Sequence, residues 1–591
     1  MAAVSVTEQA RALLHDQRPL DAYRVVLAAL DATPGDPVLA RLAGTCMQAV
    51  GDASQAERWW RQALQGLPDD ADLHFNLALL LACGERRSEA LEHFATAADL
   101  APDDLEIQAN LGLALAAAGQ DEAAQPALRA GLLAPDPAPV HLALADLLAR
   151  RGQVDAAEQH YRSAVALAPD DATAPANLAL LLAGQQRDEE AEDWYRLALS
   201  LAPDEARIHA NLAGLLTQQG RLVEAEAAYR RALALDPRDP LTHSNLGVLL
   251  AGQARDAEAE NAFITALATV PGHPRARLNR AFLLLARGQW RPGWVEHETR
   301  FDPHLKYPTL RPAHLPGQRW QGQSLAGQSI LLWLEQGYGD QIQFCRYAMR
   351  LKQMGAARVA VACQPVLVTL LRSLGGVDQV LAHTDTQAAG LRFDYWAMSM
   401  DVPRHGGGTP ETWPASLPYL APDPAHRARW QARLPDSGFK VGVCWRGNPL
   451  HHNDRQRSLP AVATLAPLAR IPGIHWISLQ PGTQPSAPEG MALLPLGAEF
   501  EDFADTAAVI DQLDLVISVD SAVAHLAGAL ACPCWVLLPA IGTDWRWQRE
   551  RGDSPWYPET MRLFRQDQPG DWSGPLAEMA GQLATLVAAP R

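Results

Sequence analysis

What this 591-residue chain lacks narrows its function before any motif does. It has only seven cysteines, at 46, 83, 345, 363, 444, 532 and 534, and none stands at a metal-ligand spacing. An odd, scattered set excludes a disulfide framework and points to a reducing compartment. Cys532 and Cys534 flank Pro533 with no answering cysteine or histidine cluster, and they read as small buried residues. Positive charge is also short: 50 Lys and Arg face 67 Asp and Glu, a net of -17. That excludes nucleic-acid binding through a general basic surface. No stretch approaches the roughly 18 apolar residues of a membrane span. The first residues, MAAVSVTEQARALLHDQ, carry acidic and polar groups ahead of any long apolar run and do not resemble a signal peptide. A soluble cytoplasmic protein is expected, with two or more domains at this length.

What is present is a period. Prolines recur at 34, 68, 102, 135, 169, 203, 237 and 271, spaced by 34 residues except for one interval of 33. Most follow an apolar-alanine helix ending, as in YRSAVALAP, YRLALSLAP and YRRALALDP. Each proline stops a helix because it lacks a donor and clashes with the preceding turn. Each period also holds a first helix such as IHANLAGLLTQQG, a polar turn, and a second helix such as EAEAAYRRALAL. Two helices per 34 residues, with small residues where they cross, is the tetratricopeptide pattern. A single hairpin cannot bury its apolar stripe, so neighbours must stack.

Asn76, Asn110, Asn177, Asn211, Asn245 and Asn279 share one repeat position, and only the repeat with Ala143 breaks the series. Asparagine is a mediocre helix former, so six at one position need a reason. One reason is structural: the amide bonds to the adjacent repeat. The other is functional: a row of amides grips an extended peptide backbone without reading its side chains. The row resembles the asparagine ladder of O-linked N-acetylglucosamine transferases, which implies a protein or peptide partner on the concave face. The pattern decays after Pro271. RARLNRAFLLLARGQW reads as one more first helix, RPGWVEHETRF as its altered partner, and the proline-rich segment that follows as a linker or an interdomain packing segment.

From residue 328 the texture changes to short apolar runs between helices. SILLWLEQG, ARVAVACQP, VDQVLAHT and FDYWAMSM predict strands. After an interruption near 405 to 435, FKVGVCWRG, IHWISLQPG, LDLVISVD and CWVLLPA predict another set, with a short strand over 494–498. Helices fit DQIQFCRYAMRLKQMG, VLVTLLRSLG, LPAVATLAPLAR, DFADTAAVIDQL and SAVAHLAGALA, and the tail LAEMAGQLATLVAA closes the chain. Such alternation predicts parallel sheets covered on both faces, in two Rossmann-like domains whose strand ends form a cleft. The expected organisation is therefore an all-α repeat superhelix over 1–300 and a linker or interdomain packing segment over 301–325. An acceptor-side Rossmann-like domain over 326–420 and a nucleotide-sugar domain over 421–591 complete it.

Four segments carry a family resemblance over roughly 320–580: EQGYGDQIQFCRY, VGVCWRGNPLHHNDRQRSLP, DFADTAAVIDQLDLVISVDSAVAHLAGALACPCWVLLP and DWRWQRERGDSPWYPETMRLFRQ. Their order and spacing resemble the GT-B glycosyltransferases related to bacterial heptosyltransferases (glycosyltransferase family 9-like), in the subgroup fused to tetratricopeptide repeats. A dinucleotide-binding dehydrogenase is the competitor. Against it, the first strand leads to Gly337-Tyr338-Gly339-Asp340 and not to GxGxxG.

Gly337 and Gly339 are expected to let the chain turn toward the cleft. Asp340 reads as a helix cap or as a general base that takes the acceptor's proton. The resemblance implies the base, although capping would lower its basicity. No DxD-like pair offers a metal site: Asp436 stands alone, and Asp511 and Asp514 bracket a helix-to-strand junction. The small first turn Ser521, Ala522, Val523 and Ala524 offers a helix start to a diphosphate instead. His525 reads either as an added donor there or as a packing residue, and the resemblance implies the phosphate role. Arg446, Asn448, Arg455 and Arg457 follow the strand VGVCW, and arginine suits oxyanions. The family often has a lysine in this neighbourhood, and this loop has none, so the role falls on an arginine, with Arg457 preferred. Gln480 is expected near the nucleotide and Thr506 near base or ribose. Asp544 and Trp545 are candidate ligand contacts, whereas Trp556 is expected in a domain seam.

Together these imply a metal-independent inverting glycosyltransferase, inversion resting on the resemblance alone. It needs no cofactor and takes a nucleotide-sugar as donor. Two alternatives stand: a non-catalytic repeat scaffold with a degenerate GT-B domain, and a transferase acting on a glycan or lipid-linked acceptor.

Overall fold

The structure is a computed structural model that describes residues 5–589 apart from 85, 306–314, 386–390, 415, 452 and 483–486. The linker expected over 301–325 thus lies partly outside the described residues. The chain divides into two compact units, Met1–Leu235 and Asp236–Arg591, so the division falls within the repeats and not at their end.

The first unit contains seven described helical hairpins, from Val6–His15 with Pro19–Ala32 to Ala206–Gln218 with Leu222–Leu235. The prolines end second helices, and an aspartate two residues on often starts the next hairpin. Asp36 accepts from the amides of Val38 (2.8 Å) and Leu39 (3.1 Å), and Asp104 from Glu106 (2.9 Å) and Ile107 (3.0 Å). Such caps are worth about 1 kcal/mol each. Within a hairpin a small residue meets a large one sixteen positions later. A Cβ on Gly112 would lie 2.7 Å from the Leu128 nitrogen. The equivalent pairs Ala78 with Phe94 and Ala179 with Tyr195 are buried in their clusters. An arginine ladder ties neighbouring second helices together. Arg187 donates to Glu158 in the preceding hairpin (2.7 Å) and to Glu190 ahead (2.7 Å), and Arg221 does the same with Glu192 (2.6 Å) and Glu224 (2.7 Å). The arginines stay partly exposed over the buried Glu158 and Glu192, and the pairs set register between hairpins.

The second unit begins with two hairpins, Pro240–Gly252 with Asp256–Thr269 and Pro274–Ala286 with Trp290–His297, followed by a 3-10 turn at Glu298–Phe301. Two wholly parallel sheets follow. The first comprises β1 (Gln318–Arg319), β2 (Ser329–Trp333), β3 (Arg358–Cys363), β4 (Gln379–Ala382) and β5 (Tyr395–Met398), in the order β1-β5-β2-β3-β4. The second comprises β6 (Phe439–Cys444), β7 (Ile474–Ser478), β8 (Leu493–Leu494), β9 (Leu515–Val519), β10 (Cys534–Leu538) and β11 (Met561–Arg565), in the order β11-β10-β9-β6-β7-β8. Counted from its own first strand, this is the 3-2-1-4-5-6 order of doubly wound nucleotide-binding sheets, with the strand order reversing between β6 and β9. Strand β9 is buried throughout, as expected for a parallel strand covered on both faces.

Some local expectations change. The helix expected from Asp340 to Gly355 breaks into Tyr338–Phe344 and Tyr347–Gln353. Between them Arg346 is buried, and its guanidinium donates to the carbonyls of Gln343 (3.0 Å) and Trp556 (2.9 Å) and to the Tyr419 hydroxyl (3.0 Å). The strand expected over 494–498 is confined to Leu493–Leu494, because Pro495 lacks a donor and a 3-10 turn takes over at Leu496–Glu499. The edge strands β1 and β11 escaped notice because each is short or half-polar. Among the described residues no helix is long and apolar enough to cross a membrane.

Candidate functional site

The segments leaving the carboxyl ends of β2, β6, β9 and β10 converge. The Tyr338–Phe344 helix packs on the Ala522–Ala529 helix through Gly339, where a Cβ would lie 2.8 Å from His525 Cδ2 and 3.4 Å from Ala522 Cα. The glycine at 339 is therefore required by a helix crossing. The left-handed residue of the preceding turn is Gln336 (φ 65°), and Gly337 is extended, so the turn does not use the glycines as expected.

Asp340 caps its helix and also meets a buried cation. One carboxylate oxygen accepts from the Gly337 amide (3.0 Å) as a helix cap, and the other is paired with Arg546. Arg546 was not singled out from the sequence, although it lies within DWRWQRE. It is buried and also donates to Gln343 (2.7 Å) and to both oxygens of Asp544 (2.9 Å each). Burial raises the Asp340 pKa above the ordinary carboxylate value; Arg546 opposes the rise and Asp544 adds to it. Asp520, at the end of β9, is the second residue that sequence reasoning missed. Burial and then Asp544 push its carboxyl up to about 6, with Arg457 and Arg546 pulling back. Three carboxylates and two guanidiniums thus share one electrostatic cluster, in which acid and base roles become separable.

The proposed diphosphate turn divides. Ser521 and Ala522 remain partly accessible, and the Ser521 hydroxyl lies 2.9 Å from that of Ser518, whereas Val523 and Ala524 are buried in the core. His525 departs from the phosphate role. It is buried, stacks on Trp547 (centroids 5.1 Å apart) and meets the Tyr557 hydroxyl at 3.1 Å. Burial and then Arg546 lower its pKa to about 3, so it is a neutral packing residue at ordinary pH. Arg457 lies beside Asp454 (3.6 Å), and its Nε is buried without a hydrogen-bond partner. A Cβ on Gly447 would lie 2.7 Å from its Nη2, so the Arg457 guanidinium packs directly against this loop.

The remaining candidates scatter. Arg446 is exposed and donates to the Pro460 carbonyl (2.9 Å), Asn448 holds a local turn through the Leu450 amide (3.0 Å), and Arg455 is exposed. Gln480 accepts from the Arg446 amide (3.0 Å), joining the ends of β6 and β7. Thr506 is buried on its own helix, too deep for a base or ribose contact. Trp545 is buried and packs against Trp290, Trp294 and Trp556, with centroids 5.5–6.4 Å apart, so it is a seam residue and not a ligand contact. Trp556 stacks on Trp413 at 3.6 Å, in the seam. Asp544 serves as the partner and cap of Arg546.

The asparagines are half-buried. In the first unit Asn177 joins neighbours on both sides, donating to Asp146 and accepting from Arg207 (3.1 Å each), while Asn110 bonds its own helix at the Glu106 carbonyl (2.9 Å). In the second unit Asn279 donates to Ser244 of the preceding hairpin (3.1 Å). Stitching between repeats therefore accounts for part of the row. Asn76, Asn211 and Asn245 keep accessible surface.

Comparison with known proteins bears on the repeats. Tetratricopeptide-repeat models match residues 142–206 and 214–253. Protein FlbA of Caulobacter vibrioides is 30% identical over 339 residues, 52% of this chain and 55% of FlbA, so the match spans about half the length of that relative. Two similar solved structures are the APC/C hetero-tetramer Cut9-Hcn1 and pilF of Pseudomonas aeruginosa. The first is 17% identical, with a TM-score of 0.36 over 47% of this chain and 55% of that one. The second is 23% identical, with a TM-score of 0.31 over 34% and 93%. The helical hairpins are tetratricopeptide repeats, followed by an α/β region of parallel sheets.

Proposed function

We propose that this protein is a metal-independent, inverting GT-B glycosyltransferase that transfers a sugar from a nucleotide-sugar to a polypeptide held by the repeats. One observation carries it: two parallel sheets present their carboxyl-terminal loops to each other, and Asp340, Asp520, Asp544, Arg457 and Arg546 gather where those loops meet. In such sheets ligands bind beyond the strand ends at the reversal of strand order. The reaction would form a bond from an acceptor oxygen or nitrogen to the anomeric carbon and break the bond to the diphosphate. A carboxylate takes the acceptor's proton, and Arg457 with the accessible turn at Ser521 and Ala522 meets the charge on the leaving diphosphate. Asp340 is capped onto Gly337 and paired with Arg546, which leaves one lone pair on each oxygen for the acceptor's proton.

That engagement also favours a second reading, in which the α/β region is a degenerate remnant and the repeats serve as a protein-interaction scaffold. Calorimetry with UDP, GDP, ADP and their sugars, with EDTA present, separates the two. Saturable binding of one nucleotide, lost in Arg457→Met, supports the transferase. Folded protein that binds none of them leaves the scaffold.

A further inference from the structure

The crevice at the strand-order reversal of the first sheet, between β2 and β5, is filled by a side chain from the end of the repeats. Arg300 lies in the 3-10 turn directly after the last repeat helix and is buried at 4% exposure. Its guanidinium donates to both oxygens of Glu335 (3.0 Å each) and to Asp401 (2.7 Å). Glu335 stands two residues past β2 and Asp401 three residues past β5, so one arginine closes the crevice from above. Arg319 completes the array, gripping Asp401 (2.9 and 3.1 Å) and Glu298 (2.9 Å). Glu335 also accepts from the Met400 amide (2.9 Å).

Glu335 begins the turn that delivers Asp340. After it come Gln336, held in the left-handed region, and Gly337, whose amide is bound to the Asp340 carboxylate. Backbone of this kind persists only where its surroundings over-determine it. Here they do: Gln341 donates to the Gln336 carbonyl (3.1 Å), and Arg300 fixes the residue before it. A bidentate guanidinium–carboxylate pair holds direction as well as distance, which a lysine in its place would not.

We propose that Arg300 is a positioning residue: it locks the Asp340 turn to the last repeat hairpin, so that this hairpin and the reacting carboxylate keep a fixed geometry. The inference rests on the transferase reading for its functional meaning. The crevice where this sheet would otherwise take a small ligand is occupied by the chain itself. The acceptor is therefore placed by the repeat hairpin, as suits a polypeptide, and not by a pocket for a free sugar.

The test uses the full chain with Arg300→Met, Arg300→Lys and Glu335→Gln. Amide exchange over 335–341 is followed by mass spectrometry. Affinity for the nucleotide that binds wild type, and kcat and KM for hydrolysis of its sugar to water, are measured in parallel. The expected result in Arg300→Met is exchange over 335–341 at least tenfold faster, a tenfold or larger fall in kcat, and a donor Kd within twofold. Arg300→Lys should recover part of the kcat. Unchanged exchange over 335–341, or a loss confined to KM, overturns the proposal. Should Arg300→Met fail to fold, Glu335→Gln, which keeps a carbonyl acceptor, reports the same changes at smaller size. If wild type binds no nucleotide, the transferase reading fails, and the exchange measurement still decides whether Arg300 holds the turn.

Discussion

Replacing Asp520 with Asn should stabilise the protein at alkaline pH while weakening its candidate site. The reasoning starts from the raised carboxyl, which titrates at about 6 against an ordinary value of 3.8. Between those values the folded form keeps a proton that the unfolded chain has released. Stability from this group therefore rises as pH falls through 6 and levels off below 3.8. At pH 8 the ionised side chain costs about 3 kcal/mol, at 1.36 kcal/mol for each tenfold change in proton affinity. Asn has the shape of the protonated acid and removes that cost. Because Asp520 keeps some accessible surface, solvent screening makes about 3 kcal/mol an upper figure. By the same linkage the gain shrinks to about 1 kcal/mol at pH 4.5. Urea unfolding of wild type and Asp520→Asn at both pH values, followed by tryptophan fluorescence, measures it. A variant less stable than wild type at pH 8, or a gain as large at pH 4.5 as at pH 8, would refute the reasoning. The first outcome would mean that pairing with Arg457 and Arg546 outweighs burial.

His525, with its pKa lowered to about 3, should show no titration between pH 5 and 8 in histidine-selective NMR; a midpoint near 6.5 would place it in solvent. The stability this neutral ring contributes is complete above 6.5 and is lost as pH falls toward 3. Gly112→Val should destabilise the first unit by about 1–3 kcal/mol through overpacking against Leu128, read as a lower urea midpoint. A loss below about 0.5 kcal/mol would show that the crossing opens freely. Arg457→Met should lower nucleoside diphosphate affinity at least tenfold with little change in melting temperature, since its Nε already lacks a partner; equal affinity would remove Arg457 from the site.

The repeats were legible in the sequence because their signals are local. The recurring proline, the apolar-alanine helix ending before it and the small residues at the helix crossings act within a helix or between adjacent helices. The strands of the α/β half were legible for a related reason: a parallel strand buried on both faces is a short continuous apolar run. Edge strands β1 and β11 carry no such run. At the site, Asp340 and Arg457 lie in the charged cluster with Arg546 and Asp520, whereas His525, Thr506 and Trp545 are buried. The donor chemistry of His525 and the ring of Trp545 suit a ligand equally well in sequence. Burial alone turned them into packing groups.

The sequence by itself determined the repeat unit, the alternation of strand and helix, and the apolar strands β2–β7, β9 and β10. Those depend on contacts a few residues to one repeat apart. Only tertiary structure decided that Arg546 answers Asp340 across 206 residues, that Arg300 fills the crevice of the first sheet, and that the second sheet follows the order of nucleotide-binding folds. Charge pairing between buried groups far apart in the chain leaves no period to read. It is set by which strand ends the two sheets bring together, where low dielectric makes each unpaired charge costly.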